Sequence, residues 1–125
     1  MTRSAPQVSR HVSVWIEASR KTVYAFAADQ RTLAEWATGL ADPELGLEVV
    51  EFAPPNEFGV LDHVVRLPSG EQVFNALRII PADDGIRCEA VFTLRQRADQ
   101  TDEQFDEDAA AVTQDLLRLK RLTER

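Results

Sequence analysis

The sequence predicts an α+β domain: an antiparallel sheet wrapped around one long C-terminal helix, with two short helices after the first strand. Three observations predict it. Phe105, Ala109, Val112, Leu116 and Leu119 recur at helical spacing near the C-terminus, and Leu122 extends the stripe. Four segments between residues 44 and 96 are rich in Val, Ile, Leu and Phe and are separated by turn residues. Two short helical patterns stand between these segments and an N-terminal strand. A sheet of this kind has one face to bury and the helix has one stripe to bury. The simplest packing lays the helix across the concave face.

Taken in order, residues 11–17 alternate and read as the first strand. His11 is opposite in parity to Val12, Val14 and Ile16, so it is expected on the exposed side. Ser19 caps a helix over 20–28, and 30–38 reads as a second helix stopped by Gly39. Strands are expected over 44–52, 59–67, 71–80 and 86–96. Leu67-Pro68-Ser69-Gly70-Glu71 is a hairpin signal: Pro68-Ser69 suits the centre of a type I turn and Gly70 the left-handed position after it. Pro81 to Gly85 makes the next turn. The last helix spans 102–123, with Thr101 and Gln104 forming a capping box. Asp102, Glu103, Asp106 and Glu107 in its first turns, and Arg118, Lys120 and Arg121 in its last, suit the helix dipole. The acidic run is thus explained as a helix start, not as a metal or partner site.

The 125 residues make one domain, 1–125, with 1–8 expected as a loose tail. Hydrophobic residues are 44% and charged residues 28%, as in a folded globular chain. The net charge of −7 disfavours nucleic acid and anionic membrane as partners. The longest apolar run, Val23 to Ala28, is far below the roughly 20 residues of a membrane helix. Met1 to Arg10 holds no apolar stretch resembling a leader. The single cysteine, Cys88, offers neither an internal disulfide nor a Cys-based metal site. A cytoplasmic protein without cofactor or metal is the expectation.

The hairpin turn sets a register. If Leu67 pairs with Glu71, then His63 faces Asn75, Leu61 faces Leu77 and Val65 faces Val73, all on one side. Ile86, Cys88, Ala90, Phe92 and Leu94 join that side from the next strand. The inner face is then apolar except for His63 and Asn75. Either these two hydrogen-bond each other and fill the core, or they line a cavity and orient a ligand. His63 is also able to move a proton near neutrality. Asp62 points to the other face, so it makes no dyad with His63. Arg78 and Glu89 are expected to pair on the outer face, Cys88 to be a small core residue, and Trp15 and Trp36 to serve packing. Ser13 and Ser69 have no base beside them.

Three stretches carry a family resemblance: Val14-Trp15-Ile16-Glu17-Ala18-Ser19, Val23-Tyr24-Ala25-Phe26-Ala27-Ala28-Asp29 and Leu33-Ala34-Glu35-Trp36-Ala37. With Gly59-Val60-Leu61-Asp62-His63, Glu89-Ala90-Val91-Phe92-Thr93-Leu94 and the closing helix, they resemble small bacterial members of the polyketide cyclase/START-like (SRPBCC) superfamily. The resemblance runs from about 11 to 124. It implies a helix-grip fold with a cavity between sheet and helix, and a hydrophobic ligand such as a lipid, sterol, polyketide or plant hormone. Some members cyclise or dehydrate aromatic polyketides, but no known cyclase's catalytic residues match this chain one by one. Three functions follow. In the first, Trp36, Leu61, His63, Val65, Asn75, Leu77, Phe92, Val112 and Leu116 line a ligand cavity. In the second, His63 is a general acid/base and Asn75 holds an oxyanion in a cyclase/dehydratase-type enzyme. In the third, the core is filled and the domain is a non-catalytic structural or interaction domain. Val60, Val64, Phe74, Ile80 and Val91 on the outer face offer a homodimer surface compatible with any of the three.

Overall fold

A computed structural model describes residues 8–125, so all of the expected tail except Val8 lies outside the described residues. Five strands form one antiparallel sheet: β1 (Ser9–Ile16), β2 (Glu48–Phe52), β3 (His63–Arg66), β4 (Gln72–Pro81) and β5 (Cys88–Arg95). Their spatial order is β1-β5-β4-β3-β2. Helix α1 (Arg20–Ala28) follows β1, then the one-turn helices α2 (Leu33–Trp36) and α3 (Thr38–Ala41), and α4 (Asp102–Thr123) closes the chain. Among the described residues no helix is long and apolar enough to cross a membrane.

The β3–β4 register is the expected one. His63 pairs with Asn75, Val65 with Val73 and Arg66 with Gln72. Leu67 N donates to Glu71 O at 2.8 Å and Gly70 N to Leu67 O at 2.8 Å, closing the turn with Gly70 at φ 90°. The ladder resumes beyond β3, where Leu61 N donates to Leu77 O at 2.8 Å and Ile79 N to Gly59 O at 2.8 Å. Gly59 is needed there, because a Cβ on it would lie 2.3 Å from Ile79 O and its φ is +73°.

Several expected boundaries are corrected. The helix expected over 30–38 is broken into a 3-10 turn (Gln30–Thr32), α2 and α3. Ala37, at φ −101° and ψ 64°, interrupts it, and Gly39 lies inside α3 instead of ending a helix. Trp36 and Ala37 are adjacent and both buried. The strand expected from 44 begins at Glu48, because Asp42 accepts from Glu44 N and Pro43–Leu45 coil into a 3-10 turn. Between β2 and β3, Asn56 organises an irregular loop, accepting from the N–H groups of Phe58 and Val60 at 3.0 Å each. Ile86 precedes its strand and is 70% exposed, because Asp84 accepts from the N–H groups of Ile86 and Arg87. It is not an inner-face residue.

Helix α4 begins as the capping box prescribes, with both Thr101 and Gln104 engaged. Its stripe buries Phe105, Ala109, Leu116 and Leu119. It leans mainly on β1, α1 and α2 and touches β5 only lightly. Ile16, Leu61, Leu77, Ile79, Leu116 and Leu119 are fully buried at the centre. The half of the sheet formed by β2, β3 and the start of β4 is therefore where space remains between the layers.

On the outer face, Arg78 does not pair with Glu89. In register Arg78 faces Val91 and Glu89 faces Ile80. Arg78 instead binds Asp62 through Nε at 2.9 Å and Nη2 at 2.6 Å. Trp15 is half exposed, with the Arg87 guanidinium over its ring. Trp36 is buried as expected.

Candidate functional site

The space between the layers has two parts. An inner chamber of about 140 Å³ is lined by Trp36, His63, Asn75, Phe92, Val112 and Leu116, with Asp115 at its wall. A groove of about 410 Å³ adjoins it, sharing Asn75, Phe92 and Val112 and adding Val65 and Val73 from the sheet and Leu45 from the segment after α3. Six of the nine expected lining residues thus meet at the chamber, and Val65 meets the groove. Leu61 and Leu77 line neither; both are fully buried in the core. The structure also adds Leu40 and Leu47, from the segment that folds over the opening.

His63 is held by its neighbours in sequence and in space. Nδ1 lies 2.9 Å from Leu61 O. A carbonyl only accepts, so Nδ1 carries the proton and Nε2 is the bare lone pair. The ring stacks on Phe52, with centroids 5.6 Å apart and planes 12° from parallel, and meets Phe92 edge-on at 6.1 Å. Burial pushes the imidazole pKa below its ordinary value, against the opposing pull of the Leu61 carbonyl and Asp62. The ring is therefore neutral at neutral pH. His63 lines the chamber, and its Nε2 has no partner among the described residues and is not sealed in the packing.

Asn75 lies opposite His63 in the ladder, yet the two side chains make no hydrogen bond with each other among the described residues. The core-filling pair is therefore not formed. The Asn75 amide also faces the chamber without a side-chain partner. Trp36 Nε1 is buried and unpartnered as well.

Asp115 is the site residue that sequence reasoning missed. Burial raises its carboxyl pKa, while Arg118 works in the opposite direction. Asp115 pairs with Arg118, whose Nε donates to Trp36 O at 3.3 Å and whose Nη2 donates to Thr38 Oγ1 at 3.1 Å. This bridge ties α4 to the α2–α3 segment. The signal was in the spacing: Asp115 is three residues after Val112 and four before Leu119, so it borders the buried stripe. Phe52 was missed too, because the irregular 53–62 loop hides its alignment with His63. His11 is exposed and meets Thr93 Oγ1 at 2.9 Å, away from the site. Cys88 is fully buried, and burial raises its thiol pKa to about 11.

The sequence matches no family model and no curated protein. Solved structures do match its fold. The Zhui aromatase/cyclase from a Streptomyces species is 14% identical, with a TM-score of 0.55, covering 96% of this chain and 95% of that one. A START superfamily protein from Mycobacterium smegmatis is 12% identical, with a TM-score of 0.53, covering 94% of this chain and 100% of that one. A conserved protein of unknown function from Enterococcus faecalis is 15% identical, with a TM-score of 0.61, over 94% of this chain and 72% of that one. The chain has the polyketide cyclase/START-like fold, a helix-grip arrangement of sheet and long C-terminal helix.

Proposed function

We propose that the protein binds a small hydrophobic molecule between the sheet and α4. One observation carries this reading: buried His63 and half-buried Asn75 line a largely apolar chamber, and neither is satisfied by another side chain. Buried polar groups are normally paired. Ligand pockets are mostly apolar with a few polar groups that fix orientation. Trp36, Phe92, Val112 and Leu116 supply the apolar walls, and Val65 continues them into the groove. The START-like fold supports the reading by architecture. Native mass spectrometry of the purified protein, with a thermal-shift screen of fatty acids, sterols and aromatic polyketides, is the test. A retained molecule or a rise in Tm is expected. No retained species and no shift across the panel overturns it.

A second reading, cyclase/dehydratase-type catalysis, is favoured by the neutral ring and free Nε2 of His63, which is the form of a general base. His63 takes the proton and the Asn75 amide holds the developing oxyanion. Unchanged turnover of an accepted substrate by His63→Ala would exclude this role. For self-association, Phe74 and Ile80 are about half exposed on the outer face and are the surface we assign to a second copy. Sedimentation velocity over a concentration series decides it, and a monomer throughout removes the assignment.

A further inference from the structure

Building on the ligand-binding reading, we infer that the bound molecule is neutral and phenol-like: one aromatic ring in the inner chamber, its hydroxyl donating to His63 Nε2, and an apolar substituent lying in the groove. Three features lead there. The chamber, at about 140 Å³, has the capacity for a single ring; an apolar cavity of roughly 150 Å³ takes up benzene. The groove beside it, at about 410 Å³, shares Leu40, Leu47, Phe92 and Val112 with the chamber, carries Arg95, Arg97 and Asp108 elsewhere on its lining, and accommodates a hydrocarbon extension.

The polarity of the chamber then selects the head group. His63 Nδ1–H is committed to Leu61 O, so Nε2 offers a lone pair and no proton. A hydroxyl donor satisfies it; a carboxylate does not, since lone pair would face lone pair. Asp115 also places a carboxyl group at the chamber wall, which further disfavours a carboxylate ligand. Arg118 is occupied by Asp115, Trp36 O and Thr38 Oγ1 and is not part of the chamber lining, and Arg95 and Arg97 line the groove but not the chamber. The Asn75 amide has both a donor and an acceptor, and it completes the hydroxyl's hydrogen bonds by donating to its oxygen.

The experiment compares three ligands of equal reach on the intact protein by isothermal titration calorimetry: para-butylphenol, butylbenzene and para-butylbenzoate. We expect the phenol to bind about tenfold more tightly than butylbenzene, the worth of one well-made hydrogen bond, and the benzoate to bind least. In His63→Phe, which keeps a ring between Phe52 and Phe92, butylbenzene still binds and the preference for the phenol shrinks or disappears, because the hydroxyl loses its Nε2 acceptor and keeps only the Asn75 amide. The wild-type ratios stand as a test even if that variant fails to fold. Equal binding of phenol and butylbenzene, or tightest binding of the benzoate, overturns the head-group inference and leaves the ligand cavity standing. Binding of none of the three overturns this inference, and a blank wider screen beside it overturns the cavity reading as well.

Discussion

His63 is stacked on Phe52, edged by Phe92 and hydrogen-bonded to the carbonyl two residues before it. The Leu61 carbonyl pulls toward the charged form, and the burial that comes with the aromatic contacts favours the neutral ring. Its folded pKa is lowered by burial, so between its unfolded value near 6.5 and the lower folded value the unfolded chain binds more protons. The stability due to this residue is complete above the unfolded pKa and is lost as pH falls through that window. Urea unfolding at a series of pH values should show the wild type losing stability from about pH 7 downward. His63→Phe should show a shallower decline over the same range; an identical slope means that the imidazole is already free to protonate in the folded state. Cys88 gives the matching prediction for a thiol. With its pKa pushed up to about 11 and its side chain fully buried, it should react with a thiol reagent at pH 8 only after unfolding. Rapid labelling of the native protein contradicts that. The pairing of His63 with Asn75 was legible in the sequence because one turn, Pro68-Ser69-Gly70, sets the parity of both strands. Asp115 and Phe52 were harder to find. The first looks like one more polar residue on a charged helix, and the second reaches His63 only through a strand pairing that follows an irregular loop.

The elements whose ends depend on local side-chain capture of the backbone were read with unequal success. Thr101 and Gln104 are three residues apart and bond reciprocally, so the start of α4 was visible in the sequence. Thr101→Ala leaves the Gln104 N–H of the first turn to water. It should cost about 1 kcal/mol in urea unfolding, and a neutral result would mean that the box is not formed in solution. Asp42 and Asp84 do comparable work, but they end or delay strands. An Asp near a turn is common enough that its choice of N–H is not evident before the chain is folded. The broken helix around Ala37 has another cause. Burying Trp36 and Ala37 side by side under α4 outweighs the continuity of a weak helix, which is a tertiary effect. Gly59 belongs to this scale as well, since β4 approaches the loop through it. Gly59→Ala drives a methyl into Ile79 O and strains a positive φ. A loss of about 2–3 kcal/mol is expected in the same unfolding assay. A loss below a few tenths would mean that the approach is looser.

Across the whole molecule, packing divides the sheet into two unequal halves. β1 pairs with β5 along its full length, β5 with most of β4, and α4 rests on β1. Ile16, Cys88, Ala90 and Ile79, all fully buried, lie in this half. The other half is β3 and β2, short strands with a register shift between Val49 and Glu51, and no residue of β2 is buried. Above it, α3 has no buried residue either. The Arg118 bridge to Trp36 O and Thr38 Oγ1 is a polar tie from α4 to the segment over the chamber. Local opening free energy follows buried apolar contact and hydrogen-bond protection. The β2 edge and α3 should therefore open without unfolding the rest, and the chamber lies beneath them. Native-state hydrogen exchange should show amides of β1, β5 and the middle of α4 exchanging only through global unfolding. Those of β2 and α3 should exchange through a much cheaper local opening. Arg118→Ala should speed exchange in α2 and α3 while leaving β1 and β5 unchanged, and a ligand that fills the chamber should slow it there first. Uniform exchange across the sheet would mean that the two halves open together, and entry to the chamber would then require unfolding of the whole domain.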